Sequence, residues 1–463
     1  MAALSARKIE IVRTLVESAP DKIVGGLQRA LAETGSDTVL ASVRQLVEAE
    51  ARDRMLRNAV FAPLTPLCVG DGSGRNSLVF PARALSFVWR GLKTAAPADI
   101  AAAEAMAEAL STAMITKQRL PDPTKTFDAV VIAAAEHLRS SEARDFRIAA
   151  ELCERAQAGG AEAFAACMDI SPVVRRALPR LADWVGKPAD EISAAARLAF
   201  KDAVAIAEDA GPRFFEMLAA QIAPPWMVLR IISAIMDTPT ERYLHDSELG
   251  GFPERIMNDI DEALKAVSRL DLDAGPAAGR EAAERIGLIT EQTFELEVGI
   301  ELTRDQGWGK RIMDQKKALA SVAEARLKDA EKLSAAALPT GSAGLRNLRK
   351  TTPRLEEPPD RRTARRALTA LAFAEAARPF AAHGGFSAAH TKTIEKIGAA
   401  VDHYIEEVLD ILRTGDADMT IAHGYLNVAA DIVGFIRDER AGEMVRRRAS
   451  AACQIEALPP IEI

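Results

Sequence analysis

The sequence predicts an all-α fold, a multi-helical bundle or irregular array of helical hairpins with a long central antiparallel helical hairpin. Three observations predict it. No stretch sustains the period-two alternation of a half-buried strand, whereas apolar spacings of three and four recur along the chain. Aromatic residues make up only 5% of the 463, and alanine is abundant, which favours close-packed helices over a sheet. Residues Pro276 to Ala337 form the longest uninterrupted helical pattern.

Within that stretch Ile286, Ile289, Thr293, Leu296 and Ile300 make a seam that faces one partner helix. The same register continues onto Thr303, Gly307, Lys310 and Asp314, so the seam stops. A second stripe, Leu319, Ala323, Leu327 and Ala330, starts out of phase with the first. Gly307-Trp308-Gly309 sits at the break. Paired glycines cost about 1 kcal/mol each in a helix interior but suit a C-cap and turn. The expectation is two long helices joined there, with a single rod of about 90 Å as the rival.

The remaining elements follow from their punctuation. Residues 5–34 read as two helices, with Ser18, Pro20 and Asp21 opening the second and Gly35 closing it. A third starts at Ser36 or Asp37, carries Val39, Val43, Leu46 and Val47 on one face, and ends before Pro63. Residues 62–80 form a loop, and Pro81 opens a short helix with Leu85, Val88, Trp89 and Leu92 inward. Helices follow at 97–118, 126–139, 142–158, 161–168, 172–185, 188–210, 213–222 and 226–236, each bounded by proline or glycine. No sequence repeat of the solenoid kind recurs. Pro253 opens a helix with Ile256, Ile260, Leu264 and Val267 inward. Helices at 361–380, 388–413 and 417–448 complete the chain. The expected division is an N-terminal helical domain (1–237), the long hairpin (253–338), a Pro/Gly-rich linker (339–360) and a C-terminal three-helix unit (361–450).

Composition narrows the function. Hydrophobic residues at 48% and charged residues at 27% describe a globular chain, not a disordered one. A net charge of −7 argues against a nucleic-acid footprint over the whole molecule. Cys68, Cys153, Cys167 and Cys453 are far apart and form no C-x-x-C pair, so neither a zinc site nor a disulfide framework is expected. The N-terminus carries no apolar targeting core. The most apolar stretch, Trp226 to Met236, contains Arg230 and is far shorter than the roughly 20 residues that span a bilayer. The expectation is a cytoplasmic protein with no transmembrane segment.

Candidates for chemistry are few. Gly70-Asp71-Gly72-Ser73-Gly74-Arg75 lacks the lysine and hydroxyl of a phosphate loop and reads as a surface turn, with an anion-binding nest as the alternative. His383, His390, His403 and His423 cluster late in the chain, where Asp402, Glu406 and Glu407 offer further metal ligands. The Glu-x-x-His spacing of di-iron bundles is absent, since alanine and threonine occupy positions 400 and 420. His390-Thr391-Lys392 raises phosphotransfer, but a lysine two residues on points off the histidine's face. His245-Asp246-Ser247-Glu248-Leu249 opens like a phosphotransfer motif and lacks the residues that complete one. Residues 346–366 hold eight basic side chains, among them Arg361, Arg362, Arg365 and Arg366, against Glu356, Glu357 and Asp360. Such a segment suits nucleic-acid backbone, anionic lipid or an acidic protein, although no aromatic is present to stack on bases. Arg446-Arg447-Arg448 is expected to complement the C-terminal dipole of the last helix. Trp226, next to Pro224-Pro225 and the Phe214-Phe215 pair, is a candidate contact residue, and so is Trp308.

The reading these observations favour is non-catalytic: a helical interaction or scaffold protein that binds partner proteins or itself through helical faces. No catalytic residue, metal or cofactor is assigned. One alternative is a metal- or ligand-dependent enzyme, or a phosphotransfer site, in the histidine-rich C-terminal helices. The other is binding of nucleic acid or an anionic surface through 346–366.

Overall fold

The computed structural model describes residues 6–32, 38–69, 78–142, 160–236, 239–343, 350–415 and 417–453. The fold is all-α. Among the described residues, strand is confined to two two-stranded pairings. The chain divides into two compact units, Met1–Asp237 and Thr238–Ile463.

The first unit opens with α1 (Ala6–Ser18), α2 (Asp21–Ala32) and α3 (Thr38–Val60), which share a small core of Val16, Val24, Leu31, Val47 and Ala51. The guanidinium of Arg54 closes the end of α1, donating to the carbonyls of Val16 at 2.9 Å and Ala19 at 2.8 Å. It also pairs with Asp21 at 2.7 Å and Glu50 at 2.6 Å, so α1, α2 and α3 meet on one charge. The helix expected after Pro81 is α4 (Ala84–Ala95), with Leu85, Val88, Trp89 and Leu92 all buried. Pro81 itself lies in β2 (Phe80–Pro81), which pairs in parallel with β1 (Cys68–Val69).

Helices α5 (Pro97–Thr116) and α6 (Thr124–Glu142) follow, and then α7 (Gly160–Ala177). The expected helix at 142–158 and the glycine loop at 70–75 lie outside the described residues, apart from the last residue of α6. The two short helices expected at 161–168 and 172–185 are divided elsewhere. α7 runs through Pro172 and stops at Ala177, and a 3-10 turn leads into α8 (Leu181–Gly186). An internal proline costs about 3 kcal/mol. Here Ile170, Val173 and Val174 are buried on either side of it, and Ser171 Oγ donates to the Cys167 carbonyl at 2.9 Å. Burial outweighs the proline. α9 (Ala189–Val204), α10 (Ala210–Ala219) and α11 (Val228–Ile235) complete this unit, with Phe214 and Phe215 fully buried.

The second unit begins with the short α12 (Glu241–His245) and α13 (Gly251–Ser268), in which Ile256, Ile260, Leu264 and Val267 are buried as expected. The two long helices are α14 (Pro276–Gly299) and α15 (Gly307–Ala337), so the single-rod alternative does not occur. Every residue of the predicted seam and of the second stripe is buried. The break lies before Gly307, not across 307–309. Gly307 opens α15 at φ +59°, and a Cβ there would stand 1.9 Å from Glu241 Oε1. The glycine admits a carboxylate that caps the helix from outside, which is why the C-cap reading placed the turn too late.

The partner of the seam is α16 (Arg361–Ala377), the helix against which both α14 and α15 pack most extensively. Its alanines permit this: Ala364, Ala367, Ala370, Ala372, Ala374 and Ala377 are all buried, as are Leu368, Leu371 and Phe373. Asp360 caps it, accepting from the Thr363 amide at 3.0 Å. The segment before α16 contains β3 (Thr340–Ala343) paired antiparallel with β4 (Lys350–Pro353). Helices on both sides of that segment belong to the one compact unit.

After α17 (Ser387–Thr414), the single helix expected at 417–448 is two helices, α18 (Met419–Ile436) and α19 (Glu439–Cys453). Asp438 accepts from the Ala441 amide at 2.7 Å and starts α19 anew. The two helices then close so tightly that a Cβ on Gly442 would lie 2.7 Å from the Ala430 carbonyl oxygen. The polar run Arg437-Asp438-Glu439 is the capping signal for this turn.

Candidate functional site

The candidate site is built on the solvent side of α14 and α15. Phe294 is 57% exposed, Val298 67% and Met313 47%, three of the large apolar side chains that the described helices leave outward. Phe294 and Val298 are four residues apart and lie off the Ile286–Ile300 seam, so burying the seam turns them outward. Met313 stands in the same relation to Ile312, which is buried. Lys316 Nζ meets Glu297 Oε1 at 2.8 Å and ties the two helices together beside these residues.

The helices that present this face are held firmly. The Glu241 carboxylate accepts from the Thr303 amide at 2.9 Å and the Trp308 amide at 2.5 Å, placing a negative charge on the N-terminus of α15. Arg311 donates to Asn258 at 2.7 Å and to Asp261 at 2.5 Å. The Gln315 amide donates to the Met257 carbonyl and to Asp261, each at 2.7 Å. One turn of α13 thereby fixes α15 from Arg311 to Gln315.

The residues singled out by sequence fall elsewhere. Trp308 is 6% exposed, its ring 5.6 Å from that of His245, so it belongs to the interior next to the cap. Trp226 is half-buried in the first unit, and its indole N–H has no acceptor among the described residues. Arg362 forms a two-pronged pair with Asp273, at 3.0 and 2.9 Å, and Arg366 approaches the same carboxylate at 3.9 Å. The Arg362 guanidinium holds the Asp273 carboxyl below its ordinary range. Arg361 and Arg365 are exposed, four residues apart, and have no ion-pair partner among the described residues. The basic positions 346 and 349 lie outside those residues.

The late histidines do not converge. His390 is buried, its Nε2 at 2.8 Å from the Ala374 carbonyl, so the imidazole is not presented for phosphoryl transfer. His423 is buried too, and desolvation holds it below its ordinary value, whereas His383 and His403 are exposed. Among the described residues no group of three or more His, Cys, Asp or Glu side chains is arranged to hold a metal. Arg446 is not a helix-end charge. α19 continues to Cys453, and Arg446 is buried, donating to Asn427 Oδ1 at 3.2 Å and to the carboxylates of Asp431 and Glu443. Cys68, Cys167 and Cys453 are free thiols, and burial pushes that of Cys167 up to about 12, which leaves it unreactive.

Among the described residues, α18 is the one helix long and apolar enough to cross a membrane, whereas the sequence reading takes Trp226–Met236, too short to span, as the most apolar stretch. It packs as a core helix, with Ala422, Leu426, Val428, Ala429, Ala430, Ile432 and Val433 buried, and its Asp431 is paired with Arg446. No clear transmembrane segment is present among the described residues.

Sequence reasoning missed Phe294, Val298 and Met313. The signal was available, since each is a large apolar residue standing outside the periodic seam. Comparison of the chain with protein-family models, with curated proteins and with solved structures returns no match.

Proposed function

We propose that this protein is a non-catalytic helical interaction protein, a scaffold that binds partner proteins or itself through the outward face of α14 and α15. The observation that carries the reading is the exposure of Phe294, Val298 and Met313 on two helices otherwise fixed to a well-packed core. Exposed apolar side chains grouped on a rigid element mark protein contact surfaces. A cytoplasmic setting accords with this reading, because the free thiols of Cys68, Cys167 and Cys453 suit a reducing compartment.

Site-specific photocrosslinking tests it. A photoreactive side chain at position 298 is compared with one at the exposed Arg413 of α17. The reading expects protein adducts at 298 well above those at 413. Equal yields at the two positions, or none at either, would overturn it.

A second reading keeps an observation of its own. Arg361 and Arg365 are exposed and unpaired among the described residues at the start of α16, as an anion-binding surface requires. Binding to anionic vesicles or duplex DNA that falls steeply with salt and disappears in Arg361→Glu/Arg365→Glu would support it. Salt-insensitive binding would count against it.

A further inference from the structure

We propose that the turn joining α5 to α6 is a peripheral membrane anchor, which seats on a bilayer bearing anionic headgroups. The proposal concerns the first unit and stands apart from the α14–α15 reading.

The end of α5 projects beyond the helices packed against it. From Ala109 to Leu120 only Ala113 is buried and only Leu110 is half-buried. Met114 is 70% exposed, Ile115 80% and Leu120 55%. Among the described residues no other stretch of seven exposes three large apolar side chains.

The charge at this end is positive. Lys117, Arg119 and Lys125 are exposed and form no ion pair among the described residues. The acid of the turn, Asp122, accepts from the Thr124 amide at 3.0 Å and from its hydroxyl at 2.6 Å, and so starts α6. Asp128, one turn into α6, is taken up by Arg175 at 2.9 Å and Arg176 at 3.8 Å. The next acid back along α5 is Glu108, about 10 Å from Ile115 by helix rise. Residues 109–127 thus hold three cations against one acid, a net +2, on a chain whose net charge is −7.

The backbone here is largely closed on itself. The Gln118 amide donates to the Ala113 carbonyl at 2.9 Å and the Lys117 amide to that of Met114 at 3.4 Å. Thr116 Oγ1 donates to the Thr112 carbonyl at 2.8 Å. Pro121 and Pro123 bring no N–H to the turn. A helix end whose carbonyls are already paired loses little when a bilayer interface takes its water away. A projecting end with apolar side chains at its point and cations beside them matches such an interface. The apolar groups enter the acyl boundary while Lys and Arg meet the headgroups, and the cytoplasmic leaflet is the anionic one. Nucleic acid would leave Met114, Ile115 and Leu120 unused, since the turn offers no aromatic to stack on a base.

The test is co-sedimentation of the full chain with vesicles at low and high salt, with circular dichroism on each variant to confirm folding. Mixed phosphatidylcholine–phosphatidylserine vesicles are compared with pure phosphatidylcholine. Wild type is expected to bind the mixed vesicles at least about tenfold more tightly than the pure ones, and more weakly at high salt. Met114→Ser/Ile115→Ser and Arg119→Glu/Lys125→Glu are each expected to weaken that binding at least about tenfold. Should either fold poorly, Met114→Ala/Ile115→Ala or Arg119→Gln/Lys125→Gln serves in its place, with a fall of the same direction. Arg361→Glu/Arg365→Glu, at the start of α16, is expected to bind as wild type does. A wild type that ignores the mixed vesicles, or variants of the turn that bind unchanged, would overturn the proposal. Loss in the charge variant alone would overturn it too, because any polyanion, duplex DNA included, would then account for the binding. Loss in Arg361→Glu/Arg365→Glu with the turn variants unaffected would overturn it in favour of the anion surface on α16. Crosslinking from position 298 reports on the other unit, so the two readings fail separately.

Discussion

The Glu241 carboxylate accepts a hydrogen bond from the Trp308 amide at 2.5 Å, across 67 residues of sequence. That contact starts the longest helix of the molecule and uses the space that any side chain at Gly307 would fill. An alanine at 307 would have to displace the carboxylate and hold a left-handed backbone. Gly307→Ala is therefore expected to cost more than about 1 kcal/mol in urea unfolding. Glu241→Ala, which removes the cap, is expected to cost about 1–2 kcal/mol. The double variant should cost less than the sum, because both act on the same cap. Additive costs would show that the two residues do not share a role.

Among the described residues of the second unit, Arg446 and Asp431 make the most buried ion pair. Removing one partner strands the other, so Arg446→Met is expected to destabilise by about 3–5 kcal/mol. Replacing both, as Arg446→Met/Asp431→Leu, should recover most of that loss. Equal costs for the single and double variants, measured by equilibrium unfolding, would contradict the pairing.

The Gln292 side chain is fully buried, and neither its nitrogen nor its oxygen has a hydrogen-bond partner among the described residues. Such a group carries a desolvation cost of about 1–3 kcal/mol. Gln292→Met keeps the approximate length and removes the polar atoms. It is expected to raise the unfolding free energy by about 1 kcal/mol. A fall would mean that the amide is satisfied, for instance by an internal water.

His423 supplies a pH signature. Burial holds its imidazole below the ordinary value of 6.5, so the unfolded chain takes up this proton at higher pH than the folded one. The contribution to stability is fully present above pH 6.5 and is lost as the pH falls from there through the lower folded value. Unfolding free energy should therefore decline below neutrality with a slope of up to about 1.4 kcal/mol per pH unit. His423→Gln should flatten that part of the curve. An unchanged slope would assign the acid sensitivity to other groups.

Much of this fold was legible from residue spacing, and the failures have physical causes. The seam of α14 and the stripe of α15 read correctly because burial enforces their periodicity. Their common partner, α16, was hidden because its inward residues are mostly alanines, which mark no face by hydrophobicity. Pro172 misled because local helix preference yields to tertiary packing. The break between α18 and α19 escaped notice because its signal is a cap, Asp438 with its Ala441 bond, and not a proline or glycine. The candidate face was readable only as an exception: Phe294, Val298 and Met313 stand where a purely structural pattern would place polar residues. Trp308 drew attention as an aromatic at a break, yet it packs behind the Glu241 cap.

The central claim is that Phe294 and Val298 serve association and not the fold. Photocrosslinking from position 313, with urea unfolding, on Phe294→Ser/Val298→Ser beside the otherwise wild-type chain tests it most directly. The account predicts protein adducts that fall several-fold in the variant, with unfolding free energies within about 0.5 kcal/mol. Adducts undiminished in the variant, or a variant destabilised by the roughly 2–5 kcal/mol of a core cavity, would contradict it.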